Sequence, residues 1–234
     1  MFRKILKFSF KLFLTLAVLG LVYGGYIYYN LCYGEYEYEV EKPVYKPGVR
    51  WDYIASFYDS KGSIYKTDSI SMKVYDKGRF FGSNGMAWGY TNDIASDAVN
   101  PLGFVNGLTG IVENKKKIWL HPCRVTKDYW SFTEFAGFPS INKPFELGST
   151  YEDVLILGND FVKEVGDRKI NVVRELVGMD TVGGIEQYII SGKCKTSVGS
   201  YTSLMRFEWD RGFSMLSYEK PSGEKLVFRL IGCF

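Results

Sequence analysis

Apolar and polar residues alternate along much of the chain, most clearly near its C-terminal end. Met205, Phe207 and Trp209 alternate there with charged residues. A period of two places successive side chains on opposite faces of a β-strand. Turn-forming stretches at 210–212 (Asp-Arg-Gly) and 221–223 (Pro-Ser-Gly) separate this run from two further aromatic-rich or alternating runs. The pattern predicts three short antiparallel strands joined by tight turns.

The same kind of pattern recurs in earlier stretches. They are residues 50–58, 67–76, 108–120, 151–157, 169–177 and 183–196. The stretch 108–120 has the form of a hairpin, and we interpret Lys115, Lys116 and Lys117 as its solvated tip. Short strands with turn signals between them are typical of β-meanders and of closed or half-closed barrels. We predict an all-β fold of eight to ten strands, an antiparallel meander that forms a curved sheet or half-barrel, with no helix outside the N-terminal segment.

The N-terminal segment has a different pattern. Residues 12–34 contain no charged side chain. An uncharged run of this length is long enough for a helix to cross the bilayer core. Four basic residues stand before this run and four glutamates follow it, an asymmetry that predicts a cytoplasmic N-terminus. We therefore predict a basic cytoplasmic segment at 1–11, a transmembrane signal anchor at 12–31, and a main domain outside the cytoplasm, in a bacterial periplasm.

A cleaved signal peptide and a lipid-modified cysteine are the alternatives to an uncleaved anchor. The apolar region of a signal peptide is usually ~7–15 residues long and precedes a small-x-small cleavage site. No clean Ala-x-Ala follows the apolar run here. A lipoprotein would need a small residue before the modified cysteine, whereas Leu31 precedes Cys32. Under each of these interpretations the bulk of the chain is exported.

Residues 32–48 form the predicted tether between the anchor and the exported β domain at 49–234. Pro43 and Pro47 stiffen this stretch. Glutamates alternate in it with tyrosine and valine, so that part of it is able to pair as an edge strand. We interpret it as a spacer that lifts the domain off the membrane.

Composition narrows the class of partner. Hydrophobic residues make up 46% of the chain and aromatic residues 17%, which suits a sheet protein with a buried core rather than a disordered chain. The formal net charge is +3, but four of the 29 basic residues precede the apolar run, so the rest of the chain nearly balances its 26 acidic residues. A neutral domain has no general attraction for a phosphate backbone, and no nucleic-acid partner is predicted.

Two stretches of the chain provide candidates for a ligand-facing surface. Residues 84–106 break the alternation, and an irregular insertion of this length is often a functional loop or a cover over the sheet. A second stretch, 129–138, is rich in aromatic rings that are expected to line the core, with an exposed groove as the alternative. The candidate ligand-facing residues are Trp88, Tyr90, Phe104, Trp130, Phe132 and Phe135.

Catalytic and metal-binding patterns are not recognised. His121 is the only histidine, and Cys123 would share a face with it in an extended segment, but Pro122 between them indicates a strand end or turn. A structural zinc needs four ligands, usually in two close pairs, and the cysteines stand far apart. Glycine patterns for phosphate binding are also missing. We predict no metal, no cofactor and no catalytic residue.

Three cysteines lie beyond the membrane boundary and permit three pairings. These are Cys123–Cys194, Cys123–Cys233 and Cys194–Cys233. An oxidising exterior favours one bridge. We prefer Cys194–Cys233 because both residues fall in the predicted C-terminal sheet, and three reduced thiols are the alternative.

A resemblance to a known type of protein can be stated on a series of features along the chain. They are an N-terminal export segment, Trp51-Asp52-Tyr53, residues 118–122 (IWLHP), residues 132–139, Gly184-Ile185-Glu186-Gln187-Tyr188, Phe207, Gly212-Phe213 and Leu226-Val227-Phe228. In this order they resemble uncharacterised bacterial envelope proteins whose half-barrel sheets are similar to the LolA/LppX lipoprotein-carrier type. The resemblance covers residues 50–234 and implies a curved sheet whose apolar concave side holds an acyl chain. The membrane anchor and the lack of a clear lid helix are departures from that type.

Three functions remain open from the sequence. The favoured one is a membrane-anchored, non-enzymatic cell-envelope β domain with a structural role or an envelope protein as its partner. The first alternative is a domain that binds a lipid or a lipoprotein acyl chain in the concave face of its sheet. The second alternative is an exported hydrolase of unrecognised type.

Overall fold

The computed structural model describes residues 2–79, 82–95 and 108–234. The helices in these ranges are α1 (Phe2–Tyr33), α2 (Thr91–Ala95), α3 (Lys127–Thr133) and α4 (Asn159–Val165). The strands are β1 (Arg50–Tyr58), β2 (Ile64–Val74), β3 (Asn84–Tyr90), β4 (Leu108–Glu113), β5 (Lys117–Leu120), β6 (Ser140–Asn142), β7 (Thr150–Ile156), β8 (Lys169–Val182), β9 (Ile185–Thr196), β10 (Gly199–Glu208), β11 (Gly212–Glu219) and β12 (Lys225–Cys233).

All twelve strands of the described ranges belong to one antiparallel sheet. Its order is β6-β5-β4-β3-β2-β1-β12-β11-β10-β9-β8-β7. Two meanders of six strands therefore meet where β1 pairs with β12, in a register that sets Ala55 opposite Phe228. The two edge strands approach each other, since the Tyr151 hydroxyl on β7 donates a hydrogen bond to the Ser140 carbonyl on β6 (2.7 Å). The prediction of an all-β antiparallel curved sheet with an apolar N-terminal helix is confirmed.

The inner face of the sheet forms the core. Along β8, every second residue from 170 to 176 is buried, while the residues between them are exposed; the buried ones are Ile170, Val172, Arg174 and Leu176. The same alternation continues on β9 and β10, as the period of two predicts. Helix α3 packs on this face against β11 and β12. The chain after it stays buried, with the Ala136 carbonyl accepting a hydrogen bond from the Ser203 hydroxyl (2.7 Å).

The strand count and the short helices correct the sequence-based prediction. The hairpin predicted at 108–120 is present as β4 and β5, whereas β6 has three residues, too few to display a period. Helices α3 and α4 have seven residues each, about two turns, so their 3.6-residue pattern is equally brief. Gly166 ends α4 in the left-handed region (φ 77°), a common way for a helix to terminate.

Successive connections of this meander lie at alternate ends of the sheet. The β2–β3, β4–β5, β6–β7, β8–β9 and β10–β11 connections share one end, here called the proximal end. The opposite, distal end carries the β1–β2, β9–β10 and β11–β12 turns. Helix α1 reaches the proximal end, because the Arg79 N–H donates to the Asn30 carbonyl (2.9 Å) and the Gly78 N–H donates to the Gly34 carbonyl (3.0 Å).

Residues 34–49, here called the juxtamembrane segment, lie against the proximal end. The Glu113 carboxylate at the end of β4 accepts hydrogen bonds from the backbone N–H groups of Val44 and Tyr45, both at 2.9 Å. The Tyr45 side chain is fully buried, and its hydroxyl oxygen accepts a hydrogen bond from the Phe213 N–H (2.8 Å). A side chain from this segment is thus part of the core.

This arrangement differs from the spacer predicted at 32–48. Further along the segment, the Tyr36 N–H donates to the Asp76 carbonyl (2.8 Å) and the Gly48 N–H donates to the Val74 carbonyl (2.9 Å). The partners lie tens of residues away in the chain, so no local pattern signals them. The segment holds the body at the end of α1 instead of separating the two.

Candidate functional site

Two of the six candidate ligand-facing residues lie on β3. Trp88 is buried, and its Nε1–H donates a hydrogen bond to the His121 carbonyl (2.9 Å). Its ring centroid lies 5.5 Å from that of Tyr53. Tyr90 is partly buried and packs against the core at the end of β3. Phe104 lies outside the described residues.

The other three candidates lie on α3 or directly after it. Phe132 and Phe135 are buried, with ring centroids 6.0 Å from Phe57 and 5.0 Å from Tyr201, respectively. Trp130 is half-buried and meets the ring of Phe161 on α4 edge-on at 4.8 Å. These rings fill the concave side of the sheet and join α3 to α4.

The His121 and Cys123 side chains lack the properties of a base and a nucleophile. Burial, with a smaller effect of Arg124, lowers the pKa of His121 to about 4. Burial raises the pKa of Cys123 to about 12. A catalytic base works best with a pKa near the operating pH, and a reactive thiol needs a lowered pKa. Both groups are therefore neutral at pH 7 in the folded protein.

All four cysteines are free thiols in the structure. Cys194 is buried on β9, whereas Cys233 is exposed at the end of β12. Strands β10 and β11 lie between them, and neighbouring strands are ~4.8 Å apart. A disulfide needs Cα atoms within ~7 Å. The preferred Cys194–Cys233 pair is accordingly not formed in this structure.

A charged group lies in the core of the sheet. The Arg174 side chain on β8 is fully buried and pairs through Nη1 with the Asp153 carboxylate on β7. Its Nε and Nη2 atoms have no hydrogen-bond partner within the described ranges, nor does the buried Tyr218 hydroxyl. Gly137 lies directly on the guanidinium, since a Cβ there would come 3.2 Å from Nε. The chain itself therefore occupies the space beside this cation.

The outer face of β8 and β9 carries a shallow depression of about 870 Å³, here called the outer hollow. Its lining residues are Asp167, Lys169, Ile170, Asn171, Val173, Glu175, Ser191, Lys193, Lys195 and Thr196. The alternation of the two strands explains the lining, because exposed positions on β8 and β9 stand side by side, with Val173 opposite Lys193.

Charge in the outer hollow is unevenly compensated. No ion pair within 4.0 Å joins Lys169, Lys193 or Lys195 to a carboxylate in the described part of the chain. Asp167 accepts a hydrogen bond from the Ser197 N–H (2.6 Å) at one end, and Glu175 lines the hollow as well. The arrangement offers three ammonium groups around small polar and apolar side chains, a lining suited to an acidic ligand.

Sequence reasoning missed this surface. The available signal was Lys193 and Lys195 at a spacing of two, together with Lys169 on a neighbouring alternating run. The pairing of β8 with β9 was needed to bring them together. Among the described residues, no group of three or more His, Cys, Asp or Glu side chains is placed to hold a metal ion.

Helix α1 is the remaining candidate for a functional element. Its stretch Lys7–Tyr33 is long and apolar enough to cross a membrane by length and composition, and none of its most apolar window is buried against the body. Residues 8–29 expose many large apolar side chains along its length.

Comparison with known proteins finds similarity to solved structures. No protein-family model matches the chain, and no curated protein matches it. One similar solved structure is provisionally described as a lipoprotein from Parabacteroides distasonis, with a TM-score of 0.34, 9% identity and coverage of 82% of this chain and 98% of that one. Another is provisionally described as an exported protein with a YmcC-like fold from Bacteroides fragilis, with a TM-score of 0.34, 10% identity and coverage of 81% and 97%. At these values neither similarity establishes a shared function.

Proposed function

We propose that the chain is a membrane-anchored protein of the bacterial envelope whose β domain lies outside the cytoplasm and acts by binding a partner. The observation that carries the proposal is α1, an apolar helix that leaves its side chains exposed while the sheet fills its core without it. Exposed apolar surface of this extent costs free energy in water and is stabilised in hydrocarbon. Basic residues before the helix and glutamates after it favour a cytoplasmic N-terminus.

The partner-binding role is supported by the outer hollow. Its three unpaired lysines stand around Val173 and Ser191, which provide an apolar and a small polar contact. An extended acidic segment of another envelope protein matches this lining, because its carboxylates meet the ammonium groups while alternate side chains contact the sheet. The two acidic residues at the hollow limit its charge, so shape and apolar contact contribute to recognition as well.

The packing of the aromatic rings favours this role over the lipid-binding alternative. Five of the six candidate residues are described, and each packs against the core or, in Trp130, against α4. An acyl chain in the concave face would have to displace such contacts, and truncating one large buried aromatic side chain costs ~3–5 kcal/mol. A non-enzymatic role is supported by the neutral states of His121 and Cys123 at pH 7.

The anchoring and orientation are tested on the full chain expressed in bacteria. We expect it to stay with membranes in alkaline carbonate, which removes peripheral proteins. A phosphatase fused after Phe234 should be active, since that enzyme folds only outside the cytoplasm, and a fluorescent protein that folds only in the cytoplasm should stay dark there. Extraction by carbonate, or the reverse pattern of the two fusions, would contradict the proposal.

The partner site is tested by a photoreactive amino acid at Asn171, which lines the hollow. Irradiated cells should yield one discrete protein adduct. The double substitution Lys193→Glu and Lys195→Glu should abolish it, whereas Lys61→Glu, in the exposed β1–β2 turn, should leave it unchanged. An adduct that persists in the double variant would exclude the hollow as the acidic-partner site.

A further inference from the structure

We propose that the proximal end of the sheet rests on the membrane surface, with the tip of the β8–β9 hairpin inserted among the lipid headgroups. This inference depends on the anchoring of α1 proposed above and adds a second, strand-built membrane contact. It concerns the end of the sheet, whereas the outer hollow lies on its outer face.

The first support is the short connection between α1 and the sheet. A free segment of 16 residues would allow the body to lie up to about 55 Å from the membrane. Instead, the Asn30 carbonyl in the last turns of α1 accepts a hydrogen bond from the Arg79 N–H on the body (2.9 Å). The Arg79 side chain also pairs with the Glu37 carboxylate. If α1 spans the bilayer, the proximal end lies at its surface.

The second support is the length of the β8–β9 hairpin. These are the longest strands of the described sheet, with 14 and 12 residues. The turn that joins them lies at the proximal end. The neighbouring strand β10 ends at Glu208, which the pairing places level with residues 187–188 of β9. Residues 181–186 therefore project beyond the end of β10 as a two-stranded arm. Gly183 and Gly184, with φ of 61° and 82°, form its tight turn.

The arm exposes apolar side chains that its own fold does not cover. Val182 and Ile185 are exposed and pair with each other beside the turn, and Met179, which precedes the arm on β8, is exposed as well. An isolated two-stranded hairpin has no core of its own in which to bury such residues. Two acidic groups lie near the tip: Glu186 is exposed and pairs with Thr181, next to the Val182–Ile185 pair, and Asp180 forms an ion pair with Arg206 (3.4 Å). The tip thus presents an apolar end that matches the interfacial region of a bilayer.

Other connections at the proximal end add groups typical of a membrane interface. Leu147 in the β6–β7 connection, Trp209 in the β10–β11 turn and Phe234 after β12 are exposed. Tryptophan is enriched at the interface because its ring is amphipathic. The Lys143 ammonium lies 5.2 Å from the Trp209 ring centroid, where a headgroup phosphate is within reach. The lysines of the β4–β5 turn, 115–117, belong to the same end.

The bilayer is the occupant that the geometry favours, because α1 already brings it to this end of the sheet. The apolar tip also stands apart from the outer hollow, so one partner protein on the hollow would not cover it. Partial insertion of three apolar side chains is a small contribution beside α1, which contains 32 residues. Its role is to set the orientation of the body on the membrane rather than its attachment.

The test uses the full chain in vesicles of phosphatidylethanolamine and phosphatidylglycerol. A diazirine-bearing amino acid replaces Val182 at the tip or Val198 in the distal β9–β10 turn; both valines are 51% exposed. After irradiation, lipid adducts are measured by mass spectrometry. We expect about fivefold or more adduct at 182 than at 198, since only an interfacial residue meets lipid continuously. A second pair, Ile185 against the distal Ile64, repeats the comparison.

The outcomes separate this inference from the anchoring proposal. If the protein resists carbonate extraction but both positions of a pair react with lipid to a similar extent, the inference is overturned and the anchor stands. If carbonate removes the protein, both are overturned. Near-ultraviolet circular dichroism of each substituted protein should match the parent, because all four positions are exposed.

Discussion

Replacing Tyr45 with alanine is expected to destabilise the whole body, although the residue lies outside the sheet. Its ring is fully buried, with its centroid 5.0 Å from that of Trp51. Truncation of a buried aromatic side chain costs ~3–5 kcal/mol. The substitution also leaves the buried Phe213 N–H without its acceptor, which adds a penalty of ~1–3 kcal/mol. Together these give a loss of about 4 kcal/mol or more in the free energy of unfolding.

Two further substitutions separate the contributions. Tyr45→Phe keeps the ring and removes only the hydroxyl acceptor, so we expect a loss of ~1–3 kcal/mol. Tyr38→Ala removes a tyrosine from the same juxtamembrane segment, but this side chain is 54% exposed. A surface substitution of that kind usually changes stability by no more than ~0.5 kcal/mol.

The assay is urea unfolding of the full chain in detergent micelles, followed by tryptophan fluorescence. Trp51 reports directly, because its ring contacts Tyr45 and its Nε1–H donates to the Arg211 carbonyl (3.0 Å). With a urea m-value of ~1–3 kcal/mol/M, the expected loss for Tyr45→Ala lowers the urea midpoint by about 1.3 M or more. If Tyr45→Ala and Tyr38→Ala were equally stable, the juxtamembrane segment would not be part of the folded unit and the argument would fail.

Titration and thiol reactivity provide two further predictions. His121 has a pKa near 4 when folded, lowered by burial and by Arg124, against ~6.5 unfolded, so the unfolded chain binds the proton first as pH falls. The free energy of unfolding should therefore drop by up to about 3 kcal/mol between about pH 6.5 and 4. The His121→Gln substitution should flatten this part of the curve of stability against pH. An unchanged slope in the variant would refute the lowered pKa of His121. A maleimide should label the exposed Cys233 in the folded chain but reach Cys123 and Cys194 only after unfolding, and fast labelling of Cys194 would contradict its burial.

Much of the sheet was predictable because its alternation is local. On β8 as far as Leu176 and on β10 as far as Phe207, every second residue is buried, and the tight turns between strands carry glycine or proline. The apolar character of α1 was equally direct. What the pattern missed were elements shorter than their own period, such as β6 and α3. The sequence signal for α3 was the spacing of three between Tyr129 and Phe132, which are both buried in the structure.

The contacts that define the candidate surfaces could not be predicted from the sequence, for a different physical reason. The bond between Tyr45 and Glu113 joins positions 68 residues apart, and neither residue type is unusual in a loop or strand end. The grouping of Lys169 with Lys193 depends on strand register, which follows from the whole sheet rather than from either strand. Local alternation identified the exposed positions but not their neighbours.

The pairing of β1 with β12 has a consequence for how the chain is made. Among the described residues, strand pairing between the two meanders of six strands occurs through β1 and β12, in which Trp51 faces Cys233. During synthesis, β1 cannot pair with β12 until the last strand has been made, and pairing between such distant parts of a chain is slow to form. Until then each half of the growing chain carries an unsatisfied hydrogen-bonding edge, a state open to pairing with other chains and to aggregation.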